Sequence, residues 1–142
     1  MPERLLFLCT ANSARSQIAE GLVRGLWPGW RAFSAGTAPG PRVHPLAVQV
    51  LTEWGLDPAG LYPKPVARFE GQTFDWVITV CDAAARACPL WLGPGRRLHW
   101  GLPDPAAVRG SPRLQLAAFR VVRNALYLRL SALLGPEEGV RV

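Results

Sequence analysis

Between Arg4 and Leu8 the chain reads RLLFL, and it then turns polar at once in CTANSARS, Cys9 to Ser16. A short apolar run of this kind is the signature of a strand buried on both faces. Directly afterwards Ile18, Ala19, Leu22, Val23 and Leu26 recur at spacings of three and four, the pattern of a helix from Ser16 to Leu26 with one face on a core. Pro28 and Gly29 stop that helix. A buried strand that feeds a helix through a short loop is the opening of a β-α-β unit, and this excludes most all-helical and all-antiparallel architectures.

The alternation continues. Trp30 to Ala35 reads as a second strand, and Pro45 opens a second helix that runs through Trp54 to Gly55. Residues 55–73 are rich in Pro and Gly and are expected to wander over the surface. DWVITVC, residues 75–81, is a third strand, and RLHW, residues 97–100, a short fourth. The segment 82–95 starts with helix formers and is broken by Pro89 and Gly93. Arg113 to Leu134 is the longest helical pattern, with Leu116, Phe119, Val122, Leu126, Leu130 and Leu133 facing inward and Arg120, Arg123 and Arg129 facing solvent. These elements predict one α/β domain over residues 1–142: an open four-stranded parallel sheet in the order 2-1-3-4, with helices on both faces. In such a sheet ligands bind beyond the carboxyl ends of the strands, beside the first strand.

Composition narrows the functional classes. The net charge is +6, but the arginines are scattered and not interleaved with aromatics on one stripe, so nucleic acid is not the expected partner. Lys64 is the single lysine among 16 basic residues. No apolar stretch approaches the length of a membrane span, and the N-terminal LLFL is too short for a signal-peptide core, so a soluble cytoplasmic protein without membrane contact is expected. Three cysteines, Cys9, Cys81 and Cys88, leave one over from any pairing and match no common zinc spacing. No metal site is expected from them.

The chemistry gathers at the strand ends. The amides of residues 10–15 can curl around a tetrahedral oxyanion, with Thr10, Ala11, Asn12, Ser13, Ala14, Arg15 and Ser16 as its cradle. Arg15 can hold two oxygens through its planar fork, and the same field favours the thiolate form of Cys9. Ser13 and Ser16 can hydrogen-bond the loop or the sulfur, and Asn12 suits a left-handed backbone position. Cys81 ends the third strand beside the first, where parallel neighbours lie about 4.8 Å apart, so Cys9 and Cys81 come within disulfide reach after modest loop movement. Were 81–88 a regular helix, Cys81 and Cys88 would stand about 10.5 Å apart along its axis. A disulfide between those two, whose Cα atoms must approach within about 7 Å, therefore requires that segment to loop or unwind. Asp104, between Pro103 and Pro105, can protonate a leaving oxygen or can simply hold a turn.

CTANSARS, SAGT at 34–37, VITVCDAAARACP at 77–89 and WGLPDP at 100–105 together resemble the thioredoxin-coupled arsenate reductases, which share their fold with the low-molecular-weight protein tyrosine phosphatases. The resemblance implies that Cys9 attacks arsenate, that Arg15 binds its oxygens and that Asp104 is the general acid. It further implies that Cys81 attacks Cys9 to release arsenite, that Cys88 then attacks Cys81, and that thioredoxin reduces the resulting Cys81–Cys88 disulfide. No organic cofactor is implied; some relatives bind potassium near the loop, which the resemblance places at Asn12, Glu20 and Ser34. Ala11 and Ala14 stand where relatives commonly carry Gly and Cys. A phosphatase of aryl or acyl phosphates using Cys9, Arg15 and Asp104 is the alternative. Against it, Ala106 and Ala107 replace the aromatic pair that phosphotyrosine enzymes of this fold carry after the acid.

Overall fold

The computed structural model of the chain describes residues 3–81 and 93–138. Four strands, β1 (Glu3–Cys9), β2 (Trp30–Gly36), β3 (Trp76–Thr79) and β4 (Arg96–His99), form one sheet in the order β2-β1-β3-β4. All pairings are parallel, with Leu5 opposite Ala32 on one side of β1 and opposite Trp76 on the other. The expected topology is the observed one. The long helices are α1 (Arg15–Leu26), α2 (Pro45–Thr52) and α3 (Pro112–Leu134).

Side chains along a strand alternate between faces, and β1 divides its apolar run accordingly. Leu5, Phe7 and Cys9 join Ile18, Ala19, Leu22 and Val23 of α1, Val50 and Leu51 of α2, and Phe119, Leu126 and Leu130 of α3 in one core. Leu6 and Leu8 face the other way and pack with Ala35, Phe69, Phe74 and Val77. Among the described residues, the cover of this second face comes from the segment expected to be a surface loop. Its short 3-10 turn, Val66–Phe69, brings Phe69 onto the sheet, and Phe33, Phe69 and Phe74 meet edge to face. Pro and Gly in that stretch mark turns, but Phe69 within it and Phe74 just after it carry enough apolar area to pull it inward.

The helix limits have local causes. Pro45 begins α2 with His44 as its cap, Nδ1 accepting from Leu46 N at 3.1 Å. Ser111 caps α3 by accepting from Leu114 N at 3.2 Å. α2 stops two residues short of the expected Trp54, because Leu56 N and Trp54 N both bond Leu51 O and Gly55 takes φ +73°.

Arg123 corrects the expected polar face of α3. It is only 6% exposed, lies over the Trp54 ring at 4.1 Å, and donates to Val50 O at 2.9 Å and Glu53 Oε1 at 2.8 Å. Arg120 and Arg129 are exposed as expected. Periodicity placed Arg123 outside because its partners come from the end of α2, which a helical wheel does not see. The Arg120 guanidinium first, and Arg123 with it, hold the Glu53 carboxyl down to about 2 from 4.5. A depressed carboxylate stabilises the fold above its unfolded value and loses that contribution as pH falls through the folded value. Thermal melts are therefore expected to show Tm dropping between pH 4.5 and about 2, with the Glu53→Gln variant flatter across that window. A variant profile parallel to wild type would refute the assignment.

Candidate active site

The chain must turn between the end of β1 at Cys9 and the start of α1 at Arg15, and it does so through Asn12 at φ 52°. This is the left-handed position expected for Asn12, whose short polar side chain tolerates it. Asn12 is the one non-glycine at positive φ among the described residues, so the Cβ of Ala11 meets no such penalty. Asn12 is fully buried and uses every polar group it has. Its N–H donates to Cys9 Sγ at 3.1 Å and its Nδ2 to Ser16 Oγ at 2.7 Å. Its Oδ1 accepts from Lys64 N and its carbonyl from Gln17 Nε2, both at 2.9 Å. Ser16 Oγ in turn lies 2.8 Å from Cys9 Sγ. Asn12 and Ser16 thus stand behind the thiol.

The remaining loop carbonyls are tied away. Thr10 O, Ala11 O and Ser13 O accept from Ala38 N, Gly40 N and His44 N at 2.9, 2.9 and 2.8 Å, and Ala14 O accepts from Ile18 N. The N-cap of α1, Ala14, offers no side-chain hydrogen bond, so the first-turn amides are left for an anion. In front of them is a cavity of about 270 Å³ lined by Cys9, Thr10, Ala11, Ser13, Ala14, Arg15, Asp104 and Ala106. Arg15 is half-buried and its Nη1 donates to Leu102 O at 2.9 Å, which ties the guanidinium to the loop after β4. Asp104 caps the turn Pro105–Ala107, its Oδ1 accepting from Ala106 N at 3.0 Å. The structure therefore brings Cys9, Arg15 and Asp104 to one cavity.

Gly36, the glycine of SAGT at the end of β2, is needed for its lack of a side chain. A Cβ at Gly36 would stand 2.4 Å from Thr10 O and 3.0 Å from Asn12 N, both backbone atoms. Gly36→Ala is expected to cost about 1–3 kcal/mol by overpacking and to weaken oxyanion binding by pushing on the loop. Thermal melts and phosphate titration measure both; a variant with unchanged phosphate affinity would contradict it.

Cys81 lies just beyond β3, where Val80 N bonds Leu8 O at 2.9 Å. It is 1% exposed, its Sγ is 3.9 Å from Leu8 O, and it shares the apolar core with Cys9. Cys81 is disulfide-bonded, whereas Cys9 is a free thiol. Cys88 lies outside the described residues.

The expected potassium position holds a different cation. Glu20, 3% exposed on the inner face of α1, accepts from Ser34 Oγ at 2.5 Å on Oε1. Lys64 Nζ lies 3.7 Å from the same oxygen and Arg24 Nε 3.4 Å from Oε2. Burial pushes the Glu20 carboxyl up and the Lys64 ammonium down from their ordinary values, while their mutual attraction opposes both shifts. With both Asn12 oxygens engaged and two cations already on Glu20, these residues do not fit a potassium ion. Sequence reasoning missed Lys64; its being the single lysine of the chain was the available signal.

Comparison with known proteins meets this geometry. The model of the low-molecular-weight phosphotyrosine protein phosphatase family matches residues 4–139. The chain belongs to that family. Among its relatives, an arsenate reductase of Halalkalibacterium halodurans is 38% identical over 127 residues, covering 89% of this chain and 91% of that one. The solved structure of an arsenate reductase in its phosphate-binding state superposes with a TM-score of 0.75 at 32% identity, over 92% of this chain and 95% of that one. A thioredoxin-dependent arsenate reductase of Corynebacterium glutamicum superposes with a TM-score of 0.64 at 26% identity, over 93% of this chain and 62% of that longer one. Within the phosphatase family, the chain thus stands with arsenate reductases. No helix among its described residues is long and apolar enough to cross a membrane.

Proposed function

We propose that the protein reduces arsenate to arsenite by a three-cysteine relay and is regenerated by thioredoxin in the cytoplasm. Arsenate enters the loop cavity, held by amides of the loop residues that line it and by the fork of Arg15. The Cys9 thiolate attacks arsenic and an arsenic-bound oxygen leaves as water, taking its proton from Asp104. The Cys81 thiolate then attacks Cys9 Sγ. The sulfur–sulfur bond forms, the sulfur–arsenic bond breaks, and its electron pair stays on arsenic, which departs as arsenite. Cys88 next attacks Cys81, freeing the Cys9 thiolate and leaving a Cys81–Cys88 disulfide for a dithiol donor. Two electrons reach arsenic, and two thiols become one disulfide.

The observation that supports this reading best is the position of Cys81, buried in the same core as Cys9 at the ends of adjacent parallel strands. A phosphatase has no use for a second cysteine there. The alternative, hydrolysis of small aryl or acyl phosphates, uses the same cavity and is expected as a weak side activity. Ala106, half-buried in the cavity wall beside Asp104, provides no aromatic surface for a phosphotyrosine ring.

Single turnover tests the reading. Fully reduced protein mixed with arsenate, without any donor, is expected to release one arsenite per chain and lose two titratable thiols. Thiols that remain intact, with no arsenite formed, would sink it.

A further inference from the structure

We infer that Lys64 is a built-in cation for the anion loop, its ammonium standing where a monovalent metal ion would otherwise balance Glu20, so that the loop is set without potassium. A carboxylate 3% exposed on the core face of a helix is costly unless positive charge and hydrogen bonds accompany it. Ser34 Oγ supplies one hydrogen bond, and among the described residues the other group that approaches Oε1 is the Lys64 ammonium at 3.7 Å. Arg24, on the opposite oxygen, is 43% exposed and anchored towards the surface by its bond to Ala59 O.

Lys64 is held for this task at every polar atom. Its N–H donates to Asn12 Oδ1 at 2.9 Å, and its carbonyl accepts from Gly36 N at 2.8 Å, where Gly36 and Pro65 form an isolated bridge. Its Nζ donates to Tyr62 O at 2.6 Å and lies 4.4 Å from the Tyr62 ring centroid. The residue is 5% exposed. An ammonium is a compact point charge, whereas a guanidinium is a broad plane. In a chain whose other basic residues are all arginine, the single lysine sits at a buried position, beside one carboxylate oxygen, that suits a point charge.

The consequence reaches the thiol. Lys64 N bonds Asn12 Oδ1, Asn12 N bonds Cys9 Sγ, and Asn12 Nδ2 bonds Ser16 Oγ, itself 2.8 Å from Cys9 Sγ. Lys64 is therefore a positioning residue: its side chain anchors to Glu20 the same backbone that orients Asn12 behind Cys9.

Two readouts that need no substrate test this, so their failure is separable from failure of the reductase reading: Tm, and the rate at which iodoacetamide alkylates Cys9, followed by peptide mass. Each is compared in potassium chloride and in choline chloride at equal ionic strength. Wild type is expected to be indifferent to the cation in both. The neutral Lys64→Met variant is expected to be slower or faster than wild type at Cys9 in choline, and potassium is expected to restore the wild-type rate and raise Tm by about 4 °C. The double variant Glu20→Gln/Lys64→Met, which removes the charge to be balanced, is expected to fold and to ignore potassium. A wild type that responds to potassium over choline overturns the inference. So does a Lys64→Met protein that matches wild type in choline, or one impaired equally in both salts. Should Lys64→Met not fold, wild type and the double variant decide: a double variant that also fails, or that responds to potassium, overturns it.

Discussion

Replacing Cys9 by Ser is expected to remove arsenate turnover altogether, by about 10⁶-fold and to the detection limit, while leaving the fold and the oxyanion site in place. The magnitude follows from losing the nucleophile, on which every later step depends. Retention of the fold follows from the geometry. Cys9 is 3% exposed, and its sulfur accepts from Asn12 N and meets Ser16 Oγ, both of which a serine hydroxyl can engage in its place. The anion's partners, Arg15 and the loop amides, are untouched. Titration with phosphate should therefore give wild-type affinity in a variant without turnover. A Cys9→Ser protein that still forms arsenite would remove the loop from the chemistry.

The second large effect is selective. Cys81→Ser is expected to bring multiple-turnover arsenate reduction to the uncatalysed background and to leave hydrolysis of para-nitrophenyl phosphate at the wild-type level. Hydrolysis needs a nucleophile, an oxyanion cradle and an acid, which Cys9, the loop with Arg15, and Asp104 supply from one cavity. Reduction needs in addition a sulfur that takes Cys9 from arsenic, and a hydroxyl cannot do this. Since Cys81 is 1% exposed, its change to Ser buries a hydroxyl and is expected to lower stability by about 1–3 kcal/mol, so rates are to be compared well below the variant's Tm. Equal loss of both activities would mean that Cys81 supports the cavity and not the relay.

Much of this arrangement was legible from residue pattern, and the exceptions share one cause. The order of strands and helices follows from periodicity and from Pro and Gly at their limits, which are local signals. The left-handed turn at Asn12 is local as well. What escaped depends on partners distant in the chain. Arg123 is buried because Glu53 and Trp54 lie beneath it, and the wheel of α3 contains neither. Lys64 belongs to the loop through Asn12 and to α1 through Glu20, although it sits in a Pro-rich stretch that reads as surface. Gly36 looks like the end of a strand until Thr10 O is placed against it. In each case the missing information was a tertiary contact, which helix and strand periods do not encode.

The central claim is that the loop cavity and Cys81 form one reductase. Its most direct test is NADPH oxidation by wild-type protein with arsenate, thioredoxin and thioredoxin reductase. The account predicts oxidation that starts on adding arsenate and proceeds mole for mole with arsenite. No arsenate-dependent oxidation, from a protein that still hydrolyses para-nitrophenyl phosphate, would contradict it and leave the phosphatase reading in its place.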